Sequence, residues 1–210
     1  RLALRDADGG TLLVWRAALS AVADAPAASL LDALRSLAAR RPPPVWAVVL
    51  CRGGHFAAAA YELQPPPKGS RKADDCVKVL AHRSFHRYVT RRKAGGRQSV
   101  ADGAKSIKSA GSSIRRHNEA MLSRESRDLL RSWSTTHLRD AAVIWFQAPG
   151  PANMSVLFGG GDAPLSRADP RCRSVPLATG RPTLAEATRV AVTLSRAEAI
   201  DEAEAAALLP

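Results

Sequence analysis

The sequence is poor in the residues that build metal centres, disulfide frameworks and membrane spans. Its three cysteines, Cys51, Cys76 and Cys172, are odd in number and widely spaced. No CxxC pair or Cys/His ligand spacing occurs, so we expect no zinc site and predict buried, reduced thiols. No cluster of carboxylates would hold a divalent cation, and no apolar run reaches the about 18 residues of a membrane-spanning helix. The sequence therefore predicts a protein without a metal or other cofactor.

The bulk composition is that of a globular domain. The 210 residues are enough for one hydrophobic core, and 46% of them are hydrophobic and 24% charged, which is too apolar for a disordered chain. The chain begins at Arg1 without an initiator methionine and shows no signal peptide. The start at Arg1 indicates a piece cut from a longer protein, whose recruitment modules we expect to lie outside this sequence. We expect a cytoplasmic protein and take a monomer as the default.

The apolar pattern predicts a mixed α/β fold with helices flanking a mixed sheet. A hairpin is expected over residues 2–16, and strands over 45–51, 55–61, 76–89, 141–146 and 172–177. Helices are expected over 29–40, 112–137, 154–158 and 183–193. We predict one domain over residues 1–194, followed by an Ala/Glu-rich helical tail over 195–210.

The positive charge is concentrated in the middle of the chain. Between Cys76 and Asn118 there are eleven Lys and Arg residues and one acid, Asp102, so this segment carries +10 of the net charge of +12. Such a concentration indicates a nucleic acid or another anionic partner. Charge alone leaves a membrane surface or a heparin-like polymer open as alternatives.

Within the basic segment lies a glycine-rich loop, predicted to be mobile over about residues 91–111, that carries Gly95, Gly96 and Gln98. Glycines allow a backbone to approach a bulky substrate closely. The glutamine amide does not titrate and cannot serve as a general base, but it can hold a water, a ribose hydroxyl or a phosphate oxygen. A Gly-x-x-Gln tetrad alone is also typical of ordinary surface loops. Surrounded by cations, it favours an active site that acts on the end of an RNA.

Three blocks of sequence around this loop resemble one family when they are taken together. They are HRSFHRY (82–88), RRKAGGRQS (91–99) and SAGSSIRRHNE (109–119). The likeness extends from VWAVVL (45–50) and RGGHF (52–56) to RPT (181–183), which is roughly two thirds of the chain. In this order the blocks resemble the release-factor-like tRNA endonucleases of ribosome-associated quality control, the ankyrin-repeat and zinc-finger peptidyl-tRNA hydrolase type.

The resemblance implies a fold, an activity and a partner. The implied fold is ribonuclease-H-like, similar to the middle domain of the eukaryotic class-1 release factor. The implied activity is cleavage of peptidyl-tRNA near its 3′ CCA end on stalled large ribosomal subunits, which frees the nascent chain. The family's functional glutamine corresponds to Gln98 and its loop glycine to Gly95, with Gly96 beside it. Arg97 separates Gly96 from Gln98, which departs from the release factor's spacing and favours a phosphodiester over an ester target.

Two alternatives remain open at this stage, peptidyl-tRNA ester hydrolysis at the same site and a non-catalytic module that binds the ribosome or tRNA. If RNA is cut, the expected chemistry is in-line attack by a ribose 2′-hydroxyl, which leaves a cyclic phosphate. His82 and His86, four apart on one strand face, are candidates for proton transfer, although packing or RNA contact is the commoner role. The predicted contacts to transfer or ribosomal RNA are Arg83, Arg87, Arg91, Arg92, Lys93, Arg97, Lys105, Lys108, Arg115 and Arg116.

Overall fold

Two β-sheets organise the protein. A computed structural model describes residues 1–5, 10–19, 26–70, 72–89, 110–201 and 204. Its strands are β1 (Leu2–Arg5), β2 (Thr11–Val14), β3 (Val45–Arg52), β4 (His55–Leu63), β5 (Val77–His86), β6 (Ala141–Gln147), β7 (Cys172–Ser174) and β8 (Glu198–Ile200). Its α-helices are α1 (Arg16–Leu19), α2 (Ala27–Ala39), α3 (Ala110–Ser134), α4 (His137–Asp140), α5 (Pro151–Phe158) and α6 (Leu184–Ser195).

The larger sheet has the strand order β5-β4-β3-β6-β7. Strand β3 pairs antiparallel with β4 and parallel with β6, while β5 and β7 form the two edges. The apolar run from Trp46 to Cys51 is buried throughout, because a central strand has both faces covered. The prediction of a mixed α/β fold with a mixed sheet is confirmed.

The sheet separates two hydrophobic clusters. On one face, helices α3, α4 and α5 pack around Leu130, Trp133 and Ile144. On the other face, α6 packs around Trp46 and Trp145, whose rings meet edge to face with centroids 5.6 Å apart. Trp46, Trp133 and Trp145 are buried, whereas Trp15, the fourth tryptophan, is half-buried.

The smaller sheet corrects one prediction. Helix α6 ends at Ser195, and Glu198–Ile200 form strand β8, which pairs antiparallel with β2 and completes the order β1-β2-β8. The Ala/Glu-rich composition had predicted a helix here. Helix propensity is worth only tenths of a kcal/mol per residue, whereas the edge of β2 offers unpaired backbone groups that a strand can satisfy.

The longest helix differs from its prediction at the C-terminal end. Helix α3 stops at Ser134 rather than near residue 137, and the short helix α4 follows at His137. The hydroxyls of Ser134 and Thr136 donate to the backbone carbonyls of Arg131 and Trp133, which offers the chain an alternative to continued helix. Within the described residues, none of the helices is long and apolar enough to cross a bilayer.

Candidate nucleic-acid interface

The predicted glutamine loop connects the end of strand β5 to the start of helix α3. Residues 90–109 lie outside the part of the chain that the structure describes. Gly95, Gly96 and Gln98 fall in that range, and their roles stay predictions. The same applies to six predicted RNA-binding cations, Arg91, Arg92, Lys93, Arg97, Lys105 and Lys108.

The segment that leads into the loop, residues 87–89, is held against the turn between β3 and β4. The backbone N–H of Arg87 donates to the carbonyl of Gly54 at 2.8 Å, which extends the β4–β5 ladder beyond its last paired residues. Gly54 has φ +81°, and a Cβ there would collide with the carbonyl oxygen of Arg87 and lie 2.7 Å from Cγ2 of Val89. Only glycine permits this approach, so the turn fixes the position from which the loop departs.

An ion pair and an amide hydrogen bond join the segment before the loop to helix α3, which follows the loop. Arg87 donates from Nε to Glu125 Oε2 at 3.0 Å, and its Nη2 donates to Oε1 of the same carboxylate. This pair lowers the pKa of Glu125 through the hydrogen bonds and the guanidinium charge, and raises the pKa of Arg87. Asn118 Nδ2 donates to the carbonyl of Tyr88 at 2.9 Å. Arg87, predicted to contact RNA, thus has a carboxylate partner on α3, and its RNA contact stays a prediction.

Three other predicted cations lie on described elements beside the loop. Arg83 is exposed on the face of β5 that carries Phe85, whose ring packs on Phe56 with centroids 5.9 Å apart. Arg115 is half-buried and Arg116 exposed in the first turns of α3. The helix begins away from the core, since Ile114 is 57% exposed. The arrangement presents positive charge on both elements that flank the loop.

The two predicted histidines lie on the opposite face of β5. His82 stands opposite Ala59 and His86 opposite His55 across the β4–β5 ladder. Strand alternation places both on one face, as predicted, but the structure brings His86 together with His55 instead of His82. The rings of His55 and His86 stack with centroids 4.1 Å apart. Burial, followed by the charges of His86 and Arg181, lowers the pKa of His55.

His55 was not among the predicted site residues. The signal that could have found it is the hairpin itself, since the Gly53–Gly54 turn fixes which residue of β4 comes first. Its pairing with His86 depends on the register of β5, which includes a bulge opposite Ala60 and Tyr61. A bulge shifts every later pair by one, so a count along the sequence could not supply the partner.

None of the three cysteines, all of which are described, forms a disulfide. Burial raises the pKa of Cys51 to about 12 and that of Cys172 to about 11, which keeps both thiols protonated. Cys51 is buried as predicted, whereas Cys76 and Cys172 are half-buried. Among the described residues, no group of three or more His, Cys, Asp or Glu side chains is placed to hold a metal ion.

Comparison with known proteins finds clear relatives. The family model described as the Bacteroidetes VLRF1 release factor matches residues 46–202. The chain is 38% identical over 196 residues to a human protein named tRNA endonuclease ANKZF1, covering 90% of this chain and 24% of that protein. It is also 38% identical over 153 residues to the Schizosaccharomyces pombe tRNA endonuclease vms1, covering 71% and 24% respectively. The chain thus spans about a quarter of the length of these relatives.

A solved structure shares the fold. It is described as the Vms1 mitochondrial localization core and superposes with a TM-score of 0.64 at 18% sequence identity. The match covers 91% of this chain and 73% of the solved one. At this identity the likeness concerns the fold, which is the mixed sheet with its flanking helices.

Proposed function

The chain belongs to the family of the Bacteroidetes VLRF1 release factor, and on this premise we propose that it is a tRNA endonuclease. It cleaves peptidyl-tRNA near the 3′ CCA end on stalled large ribosomal subunits and so frees the nascent chain. Gln98, on its Gly-x-x-Gln loop, works in the peptidyl-transferase centre. The partners are peptidyl-tRNA and the RNA of the large subunit, and the protein acts as a cytoplasmic monomer.

One observation carries this proposal. Relatives named tRNA endonucleases are 38% identical to the chain over as much as 90% of its length. The family match over residues 46–202 spans the loop together with both elements that anchor it. The ribonuclease-H-like, release-factor-like architecture belongs to the same proposal, and the mixed sheet covered by helices on both faces supports it.

The proposed chemistry is metal-free transfer to a neighbouring ribose hydroxyl. The 2′-oxygen attacks the phosphorus in line, the bond to the 5′-oxygen of the next nucleotide breaks, and a 2′,3′-cyclic phosphate remains. Gln98 positions the reacting groups. The charge that builds on the phosphorane is stabilised by the cations of the loop, Arg91, Arg92, Lys93 and Arg97. Both histidines are exposed, and His86 is the better candidate for proton transfer because it ends the strand that leads into the loop.

The test is to map RNA 3′ ends after mixing the protein with stalled peptidyl-tRNA–large-subunit complexes. We expect the wild-type chain to produce tRNA that lacks its CCA end and terminates in a cyclic phosphate. Gln98→Ala should abolish this product while sparing binding, because an amide that positions reactants contributes little to the affinity of the whole surface. Gln64→Ala is the matched control and should cleave normally, because Gln64 follows the last residue of β4, at the end of that strand away from the Gly53–Gly54 turn.

Two other outcomes would replace the proposal. Released peptide with intact CCA ends would mean that the ester is hydrolysed instead of the phosphodiester. Salt-sensitive binding without any product, in wild type as in Gln98→Ala, would identify a non-catalytic module that occupies the ribosome.

A further inference from the structure

A small cavity lies beside the turn between β3 and β4. Its volume is about 340 Å³, at the lower end of the range typical of small-ligand sites. It is lined by Arg52, Gly53, His55, Gly180, Arg181 and Pro182. Arg52 and His55 face each other where the hairpin closes, while Gly180–Pro182 approach from the segment before α6. The cavity thus joins two parts of the chain that are remote in sequence.

The cavity is positively charged and has no acid in its lining. Arg52 donates from Nη1 to the carbonyl of Thr179 at 3.2 Å, which holds its guanidinium in place and leaves further N–H groups available. Arg181 is exposed and makes no hydrogen bond or ion pair with another described residue. Two guanidinium groups and an imidazole around one cavity are donors suited to phosphate.

Helix α6, which follows the same segment, carries a carboxylate, Glu186, which is already paired with Arg189. Glu186 accepts from the backbone N–H of Gly180 at 2.7 Å and from Arg189 through both of its oxygens, at 2.6 and 3.0 Å. These bonds lower the pKa of Glu186 and neutralise its charge locally. Glu186 therefore shapes the Gly180 turn without cancelling the charge of Arg52 and Arg181.

The cavity adjoins the base of the glutamine loop. The turn that carries Arg52 and His55 is bonded to Arg87 through the Gly54 carbonyl, two residues before the described part of the chain stops at Val89. His86 stacks directly on His55. A phosphate in the cavity would therefore lie next to the histidine proposed for proton transfer and close to the departure point of the loop.

We propose that this cavity binds a backbone phosphate of the tRNA acceptor end, adjacent to the phosphodiester that is cut. Arg52 and Arg181 contact the phosphate oxygens, and His55 donates a hydrogen bond from the cavity wall. The inference rests on the proposed endonuclease function and deepens it, because it names the residues that set the position of the RNA relative to Gln98. Arg52, His55 and Arg181 are thus positioning residues.

The direct test is binding of a CCA-ended acceptor-stem minihelix RNA, measured by fluorescence anisotropy over a series of salt concentrations. Arg52→Gln and Arg181→Gln should each weaken binding about tenfold, the loss typical of one charge-assisted hydrogen bond. Each should also reduce the magnitude of the slope of the logarithm of the association constant against the logarithm of the salt concentration, by about 0.7 to 1. Arg35→Gln removes a cation that is paired with Asp32 on the remote helix α2 and should change neither quantity.

A second readout reports on the cavity itself. In the free protein, the groups that surround His55 are two guanidinium groups and one imidazole. They belong to Arg52 across the hairpin, Arg181 on the opposing segment and His86 on β5. A bound phosphate supplies negative charge, so the minihelix should raise the pKa of His55, followed by NMR of its imidazole resonances. The double variant Arg52→Gln/Arg181→Gln should abolish this response, and unchanged thermal melting would show that it still folds.

The outcomes separate this inference from the proposed function. Wild-type affinity and salt slope in both arginine variants, with no response of His55, would overturn the phosphate site even if cleavage depends on Gln98. A response of His55 to inorganic phosphate but not to the minihelix would assign the cavity to a free anion and equally overturn it. If the minihelix binds through the cavity but wild type yields no Gln98-dependent product, the site stands and the endonuclease proposal fails.

Discussion

Gly54 determines where strand β5 can run as it approaches the glutamine loop. Its backbone has φ +81°, and the position of a Cβ there is occupied by the backbone of Arg87 and the side chain of Val89. The preceding residue, Gly53, has φ +57°, but no atom lies within 4 Å of the position that a Cβ would take. It therefore shares the backbone conformation without the steric conflict, and the two glycines are a natural matched pair.

We predict different costs for alanine at these two positions. Gly53→Ala should lower the free energy of unfolding by about 1 kcal/mol, the cost of an L-residue in the left-handed region. Gly54→Ala should cost about 1–3 kcal/mol more, because the added methyl displaces Arg87 and Val89. Urea denaturation measures both values, and equal costs would show that the close contact does not constrain the base of the loop.

The two halves of helix α3 differ in how deeply they are buried. Its C-terminal half places Leu122, Leu130 and Trp133 in the core against the sheet. Its N-terminal half carries the exposed Ile114 and the basic pair Arg115 and Arg116 next to the loop. The first half of the helix is therefore the more exposed one, while the second half contributes to the core.

We predict that substitutions in the two halves differ in their effect on the free energy of unfolding. Leu130→Ala, at a fully buried position, should lower the free energy of unfolding by about 2–5 kcal/mol. Ile114→Ala removes a side chain that is 57% exposed and should change it by less than about 0.5 kcal/mol. Chemical denaturation of both variants is the measurement. A large loss of stability in Ile114→Ala would contradict the division of the helix.

Some elements of the fold can be predicted from the sequence and others cannot. The central strand was predictable because six consecutive apolar residues from Trp46 to Cys51 fit only a strand covered on both faces. Strand β8 was not, because its three residues pair with β2 from the far end of the chain and local composition favours helix. The cavity between Arg52 and Arg181 likewise depends on tertiary topology. The loop around Gln98 was predicted from local composition and family likeness, and it lies outside the described residues.

At the scale of the whole molecule, the smaller sheet joins the first residues of the chain to the last described strand. Arg1 donates to Glu198 at 2.6 Å, and β8 covers the edge of β2, whose Leu13 and Val14 are buried. Removing β8 would expose a row of unpaired backbone groups along β2.

We predict that truncation after Ser195 lowers the melting temperature and promotes self-association through that edge. Truncation after Asp201 keeps β8 and is the matched control, which should melt and migrate like the full chain. Thermal denaturation and light scattering after size exclusion distinguish the two. A stable monomer after truncation at Ser195 would show that β8 is dispensable for the fold.

The bonds that join Tyr88 to Asn118 and Arg87 to Glu125 bear on the length of the connection between β5 and α3, which carries Gln98. The entropy of closing a chain segment grows only with the logarithm of its length, so doubling the connection would cost only about 0.6 kcal/mol. With both ends already held by the domain, insertions or deletions in the connection scarcely alter folding. The length of this connection, and with it the proposed reach of Gln98 towards RNA, can therefore vary with little effect on the stability of the scaffold.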